Sequence, residues 1–164
     1  MTTQHFYRMD NFVAGNSVGY LLKTASNLLH PALESAFADS DLTLIQWKVL
    51  MYLRDEIAST CKEISHDLPY DPGSLTRVVD ELERKGYLKR DRNAADRRVV
   101  SLILTAAGRD AVQAAIPRVI AVVNAALSGF SEDEAQTLVD LLVRFIAGLR
   151  TMRKDGLPLP PVEA

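Results

Sequence analysis

The side chains of this sequence that could do chemistry are positively charged and lie close together. Between Ser74 and Arg98 there are eight cations and five acids, a local net charge of +3, whereas the whole chain carries −2. The cations are Arg77, Arg84, Lys85, Lys89, Arg90, Arg92, Arg97 and Arg98. A concentration of positive charge in an acidic chain indicates either a solvated surface or a site for a polyanion such as nucleic acid.

The segment RDRNAADRRVVSLILTAAG, residues 90–108, joins a charged run to a run of branched apolar side chains. This arrangement has two interpretations. The charged run is either a solvated hairpin tip without a further role, or a tip that carries cations to a polyanion. The elements that position the segment discriminate between the two.

Catalytic and metal-binding patterns have no candidate in the sequence. It contains no H-E-x-x-H, P-loop or G-x-S-x-G motif, and His5, His30 and His66 are not at metal-ligand spacing. The one cysteine, Cys61, excludes an intrachain disulfide, and we interpret it as a small packing residue. We therefore expect no enzymatic activity, no metal and no cofactor.

Export and membrane insertion are not predicted either. Near the N-terminus, no basic flank is followed by an apolar core of the kind found in signal peptides. The longest apolar run, residues 119–127, is interrupted by Asn124 and falls far short of the roughly 20 residues that span a bilayer. We expect a cytoplasmic protein without a membrane segment.

Two helices are delimited by their capping residues. STCKEISHDL begins with a capping box formed by Thr60 and Glu63, which predicts the start of a short helix. DPGSLTRVVDELERKGY begins with Asp71 as N-cap before a proline and ends at Gly86, the residue type that terminates helices in a left-handed conformation. A short helix, a turn and a second helix predict a helix-turn-helix.

The second of these helices has one apolar and one polar face. The apolar stripe consists of Leu75, Val78, Val79 and Leu82, whereas Gly73, Arg77, Asp80 and Arg84 lie on the opposite side, flanked by Thr76. We expect Arg77 to face a partner and Asp80 to pair with a neighbouring cation or to lie off the contact line. We interpret Arg84 and Lys85 as solvated helix charge.

After Gly86 the pattern changes from helical to alternating. YLKR and RRVVSLIL are typical of strands, and DRNAAD between them is typical of a turn. A hairpin directly after a helix-turn-helix predicts a winged helix, in which the charged tip is the wing. Arginine suits a narrow, strongly negative minor groove because its planar cation is weakly hydrated.

The remaining helices carry more apolar side chains than one small winged domain can bury. They are predicted from about Ser17 to Phe37, from Leu42 or Thr43 onward, from Ala106 to about Ser128 and from Ser131 to about Arg153. The predicted fold is mainly α with a small β-hairpin wing, an α+β winged helix-turn-helix with a helical dimerisation region formed by the N- and C-terminal helices. We assign residues 1–37 and 106–153 to dimerisation, 42–105 to DNA binding and 154–164 to a proline-rich tail.

The chain resembles the MarR family of transcriptional regulators. DPGSLTRVVDELERKGYLKR is similar to the family's recognition helix and its exit into the wing, and DRRVVSLILTAAG is similar to its D-x-R and L-T-x-x-G signature. The resemblance covers residues 17–153 and implies a homodimer that binds a pseudo-palindromic operator and is often released by a small aromatic ligand. It also implies that Asp96 braces the wing while Arg98 enters the minor groove.

The candidate site residues follow from both lines of argument. The candidate DNA contacts are Thr60, Lys62, Gly73, Ser74, Thr76, Arg77, Arg97 and Arg98. By resemblance, an effector pocket between the dimerisation helices and the winged domain makes Tyr20, His30, Trp47 and Met51 candidate lining residues, each of which is equally interpretable as core.

Three partners follow from these assignments: double-stranded DNA with an inverted-repeat operator, a second copy of the chain, and a small aromatic ligand. The predicted function is that of a homodimeric repressor. The alternative is a winged-helix protein-interaction module without an effector.

Overall fold

The computed structural model describes residues 6–68, 70–92 and 100–154 and is mainly helical with one two-stranded antiparallel hairpin, as predicted. A short 3-10 helix, Ala14–Asn16, comes first. The other elements are α1 (Val18–Ala36), α2 (Leu44–Arg54), α3 (Cys61–Asp67), α4 (Pro72–Arg84), β1 (Leu88–Arg92), β2 (Val100–Leu104), α5 (Ala106–Ala126) and α6 (Glu132–Lys154).

The chain divides into two compact units, Met1–Val122 and Val123–Ala164. The first unit contains the hydrophobic core, to which α2, α3, α4, both strands and α5 contribute. Its largest fully buried side chains are Val49, Leu50, Ile64, Leu75, Val79, Leu82, Leu88 and Val112. The second unit consists of the end of α5 and of α6, whose N-cap, Ser131, exchanges hydrogen bonds with Glu134.

The predicted capping residues of the helix-turn-helix are confirmed. Thr60 accepts a hydrogen bond from the Glu63 amide, whose own carboxylate accepts one from the Thr60 amide. Asp71 Oδ2 accepts from the Ser74 amide at 2.9 Å, and Gly86 ends α4 with a φ of 75°. Such signals act within one helical turn, which is why they are readable from sequence.

The two strands of the hairpin pair with each other, and the second strand is also hydrogen-bonded to the segment just before α3. β1 pairs antiparallel with β2 from Leu88 opposite Leu104 to Arg92 opposite Val100. In addition, the Leu102 amide donates to the Ser59 carbonyl at 2.7 Å, next to a bridge between Thr60 and Ser101. The hairpin is therefore hydrogen-bonded to the first turn of the helix-turn-helix.

The L-T-A-A-G segment packs α5 directly against the turn that leaves α4. Thr105 Oγ1 lies 2.7 Å from the Gly86 carbonyl oxygen and accepts a hydrogen bond from the Gly108 amide at 3.0 Å. A Cβ on Gly108 would lie 2.0 Å from the Tyr87 carbonyl oxygen. Threonine and glycine are thus required here by packing, independently of any contact with DNA.

Apolar side chains remain exposed on α1 and α6. The structure describes all of α1, and none of its residues is buried. Its exposed apolar residues include Val18, Tyr20, Leu21 and Leu28. On α6 the exposed apolar residues include Leu138, Leu141, Phe145, Ile146 and Leu149. Among the described helices, none combines the length and apolar character needed to cross a membrane.

Candidate nucleic-acid interface

The polar face of α4 is presented to solvent because its apolar face is anchored in the core. Leu75, Val79 and Leu82 are fully buried, at the helical spacing that the sequence indicated. On the other side of the helix the exposed residues include Gly73, Ser74, Thr76 and Arg77. The structure therefore brings these four candidate DNA contacts together on the first two turns of one helix.

Arg77 is the cation of this face that is available to a partner. It is exposed and forms no ion pair with any side chain that the structure describes. By contrast, Arg84 lies about two turns further along and is 3.8 Å from the Glu81 carboxylate. A guanidinium that is not paired with a described side chain has donors to offer to an external acceptor.

Two acids of α4, Asp80 and Glu83, are bridged by a residue of the hairpin. Arg90 on β1 places its two terminal nitrogens 2.6 Å from Asp80 Oδ1 and 2.5 Å from Glu83 Oε2. Hydrogen bonds from the Arg90 amide and guanidinium hold the pKa of Glu83 below its usual value. The predicted pairing of Asp80 with a neighbouring cation is confirmed, since Asp80 on the exposed face of α4 forms an ion pair with Arg90.

The interpretation of Lys85 as solvated charge is wrong. Its side chain is only 19% exposed, and Nζ donates to the main-chain oxygen of Asp41 in the loop between α1 and α2. Tyr87 donates to the carboxylate of the same aspartate. Lys85 thus joins the end of α4 to a distant loop, which a lysine at a helix C-terminus does not reveal in sequence.

The candidate contacts on α3 differ in what their side chains do. Thr60 is half-buried and its hydroxyl oxygen caps α3, whereas Lys62 in the first turn is exposed. Asp96, Arg97 and Arg98 lie outside the described residues, which end at Arg92 on one strand and resume at Val100 on the other. The roles of these five residues at DNA stay predictions.

The four candidate effector residues do not lie at one place. Trp47 is buried against Phe37, with Nε1 donating to the Val112 carbonyl at 3.4 Å, and Met51 packs on the same core. Tyr20 is 54% exposed on α1. His30 lines a cleft of about 260 Å³ between α1 and α2.

Lys48 is a further residue of this cleft that was not predicted from the sequence. It lines the cleft with its Nζ 3.5 Å from His30 Nδ1, while His30 Nε2 is 3.4 Å from Glu34. Burial lowers the pKa of Lys48, against an opposing effect of the Glu34 charge. The available signal was a single lysine in the apolar segment LIQWKVLMYL.

Cys61 begins α3 and packs partly buried against the core. Burial raises the pKa of its thiol, and the nearby Arg90 charge opposes that rise. The thiol is therefore mostly protonated at neutral pH and a weak nucleophile. Cys61 fits the packing role that the sequence indicated.

These elements define the class of the protein. Two helices joined by a tight connection, with an outward polar face on the second and an antiparallel hairpin after it, form a winged helix-turn-helix, a DNA-binding architecture. The exposed Arg77 on the outward face and the ion pair of Asp80 with Arg90 agree with a polyanionic partner.

The chain belongs to the MarR family of transcriptional regulators. Residues 42–100 match the sequence model of the MarR family. The chain is 31% identical over 147 residues to the HTH-type transcriptional regulator TtmR of Methylorubrum extorquens, covering 88% of this chain and 73% of TtmR.

Two solved structures support the same placement. BpsR of Bordetella bronchiseptica superposes with a TM-score of 0.66 at 27% identity, covering 82% of this chain and 96% of BpsR. A mutant of Escherichia coli MarR complexed with operator DNA superposes with a TM-score of 0.63 at 29% identity, covering 78% and 92% of the two chains. The protein is a DNA-binding transcriptional regulator and not an enzyme.

Proposed function

We propose that the protein is a homodimeric repressor that binds an inverted-repeat operator and is released by a small aromatic acid. The observation that supports operator binding is Arg77, which is exposed and forms no ion pair with a described side chain. It lies on a helix face whose Asp80 is paired with Arg90. A guanidinium on an outward helix face suits the paired acceptors of guanine in the major groove.

The other candidate residues take supporting roles in this proposal. Gly73, Ser74 and Thr76 stand beside Arg77 at the bases, and Lys62 and Thr60 contact the phosphates. In the wing, Arg97 and Arg98 reach the minor groove while Asp96 braces the turn. Residues 42–105 form the DNA-binding domain, and residues 1–37 and 106–153 form the dimerisation region.

Selection of bound DNA from a random pool tests whether the protein binds an inverted-repeat operator. A two-fold symmetric dimer with one reading helix per subunit should select an inverted repeat with half-site centres about 10 bp apart, one turn of B-DNA. A consensus with a single half-site would contradict the dimeric operator. If no sequence competes better than bulk DNA, the protein-interaction alternative replaces the repressor.

The exposed apolar residues on α1 and α6 support dimerisation, because isolated soluble chains rarely leave such surfaces open. Leu141→Glu should weaken the dimer by on the order of 100-fold or more, since an unpaired charge in an apolar interface costs several kcal/mol. Sedimentation equilibrium measures the change. Ala147→Glu, which adds the same charge on the side of α6 opposite Phe145 and Leu149, is the control and should remain dimeric.

If Leu141→Glu is folded and as dimeric as the wild-type protein, this face of α6 is not the interface. Circular dichroism of both variants separates that result from unfolding.

The cleft beside Lys48 supports a small anionic effector. A half-buried ammonium within 3.5 Å of a histidine ring attracts a carboxylate, because charge-assisted hydrogen bonds strengthen where water is excluded. His30 adds an aromatic surface at the same place. The DNA binding of the similar protein BpsR is regulated by 6-hydroxynicotinic acid, an aromatic acid of a size that the cleft accommodates.

Lys48→Met should weaken binding of such an acid by about 10- to 100-fold, the cost of losing one charge-assisted hydrogen bond. The measurement is the concentration of 6-hydroxynicotinic acid or benzoic acid that halves operator binding. The thermal midpoint of the empty variant should be unchanged or higher, because burial of the charged Lys48 destabilises the folded state.

Lys23→Met is the matched control, since Lys23 is an exposed lysine on α1. If both variants respond to the acids as the wild-type protein does, Lys48 is not the effector's anchor. If neither acid affects the wild-type protein, aromatic acids of this size are not its effectors.

A further inference from the structure

Arg90 connects the hairpin to α4. Its guanidinium bridges Asp80 and Glu83, at 2.6 and 2.5 Å, and its main-chain amide donates to Glu83 Oε1 at 3.0 Å. Three hydrogen bonds therefore join β1 to α4 across seven to ten residues of sequence. The Arg90 side chain is only 26% exposed, so these bonds are partly shielded from water.

This arrangement depends on the shape of arginine. Asp80 and Glu83 are one helical turn apart on α4 and would repel each other without a cation between them. A planar guanidinium holds both carboxylates at once, whereas an ammonium is a point charge on a flexible stem. The site thus sets the direction of β1 and places one positive charge between the two acids.

Direct contact of Arg90 with a phosphate fits this geometry poorly. Both terminal nitrogens already donate to carboxylates, and the two acids outnumber the one cation. By comparison, the neighbouring Lys89 is exposed on the same strand. Opposite Arg90 in the hairpin is Leu102, which is buried and hydrogen-bonded to Ser59, so β1, β2 and the start of α3 are connected.

We propose that Arg90 is a positioning residue for DNA recognition: by bridging Asp80 and Glu83 it holds the β1–β2 hairpin at a fixed orientation to α4, so that helix and wing meet the same stretch of DNA. This inference rests on the proposed function, the binding of an operator by α4 and the wing. It adds a residue that acts through the placement of the hairpin and not through its own contact with DNA.

The central variant is Arg90→Gln, with Lys89→Gln as the matched control on the same strand. In Arg90→Gln, affinity for the selected operator should fall about tenfold, within the range found for coupled neighbouring residues. The preference for the sequence that flanks each half-site, which depends on the wing, should be lost. The preference for bases inside the half-site, which depends on α4, should be kept. Lys89→Gln should keep both preferences. Arg90→Lys should recover part of the flanking preference, because a lysine can hold one of the two acids.

Removing the acids separates positioning from contact with DNA. The double variant Asp80→Asn, Glu83→Gln should lose the flanking preference as Arg90→Gln does, and adding Arg90→Gln to it should cost little more. If removal of the acids instead tightens binding, and Arg90→Gln then costs more than in the wild-type background, Arg90 contacts the phosphates and the proposal is wrong.

Amide hydrogen exchange tests the same placement without DNA. In Arg90→Gln the amides of β1 and β2 should exchange about tenfold faster while those of α4 keep their rates, as expected for local opening. Unchanged exchange rates of the strand amides in Arg90→Gln would overturn the proposal. A lower thermal midpoint of this variant with both DNA preferences intact would overturn it as well. If the wild-type protein selects no operator, the proposed function fails while the exchange rates still decide whether Arg90 holds the hairpin.

Discussion

Gly108→Ala is expected to lower the free energy of unfolding by about 3 kcal/mol, the upper part of the usual range for overpacking. The added Cβ would lie 2.0 Å from the Tyr87 carbonyl oxygen and 2.7 Å from Leu104 Cδ1. The carbonyl belongs to main chain, and it accepts a hydrogen bond from the Thr105 amide at 3.1 Å. Relief of the clash therefore requires α5 to move away from the turn that ends α4.

Urea denaturation of Gly108→Ala and of Gly129→Ala provides the comparison. A Cβ on Gly129 meets no heavy atom within 4 Å, so that variant should be within about 0.5 kcal/mol of the wild-type protein, as is usual for surface changes. Equal stability of the two variants would mean that α5 does not approach Tyr87 this closely. The operator affinity of folded Gly108→Ala should fall as well, because the hairpin begins at the same turn.

Arg77→Ala is expected to reduce discrimination at one or two base pairs of each half-site by about 1 to 3 kcal/mol, the contribution of a bidentate base contact. Arg77 is exposed on the first turns of α4, where a recognition helix contacts base edges. Its loss should leave stability unchanged, because it forms no ion pair with a described side chain. Affinities for the operator and for its single-base variants measure the effect.

Arg84→Ala is the matched control for this prediction. Arg84 lies on the same helix, is exposed and has only a loose ion pair with Glu81. Its replacement should weaken binding equally for all sequences or not at all. If Arg77→Ala behaves in the same way, Arg77 contacts phosphate and the base discrimination must come from other residues of the face.

The sequence by itself determined the features that depend on neighbouring residues. The capping pair Thr60 and Glu63, the N-cap Asp71 and the stop at Gly86 were predicted because each is a hydrogen bond or a backbone conformation within one turn. The outward position of Arg77 followed from the apolar stripe on the other side of α4. The winged helix-turn-helix followed from the order of these elements.

Only the tertiary structure decided which polar side chains have partners inside the protein. Arg90 bridges Asp80 and Glu83 from another element, Lys85 reaches Asp41, and Trp47 donates to a carbonyl 65 residues away. Lys48 and His30 meet in a cleft although they are 18 residues apart. Charge and periodicity predict which side chains of a helix face solvent. The partner of a charged side chain depends instead on chain packing over long separations, which local patterns do not encode.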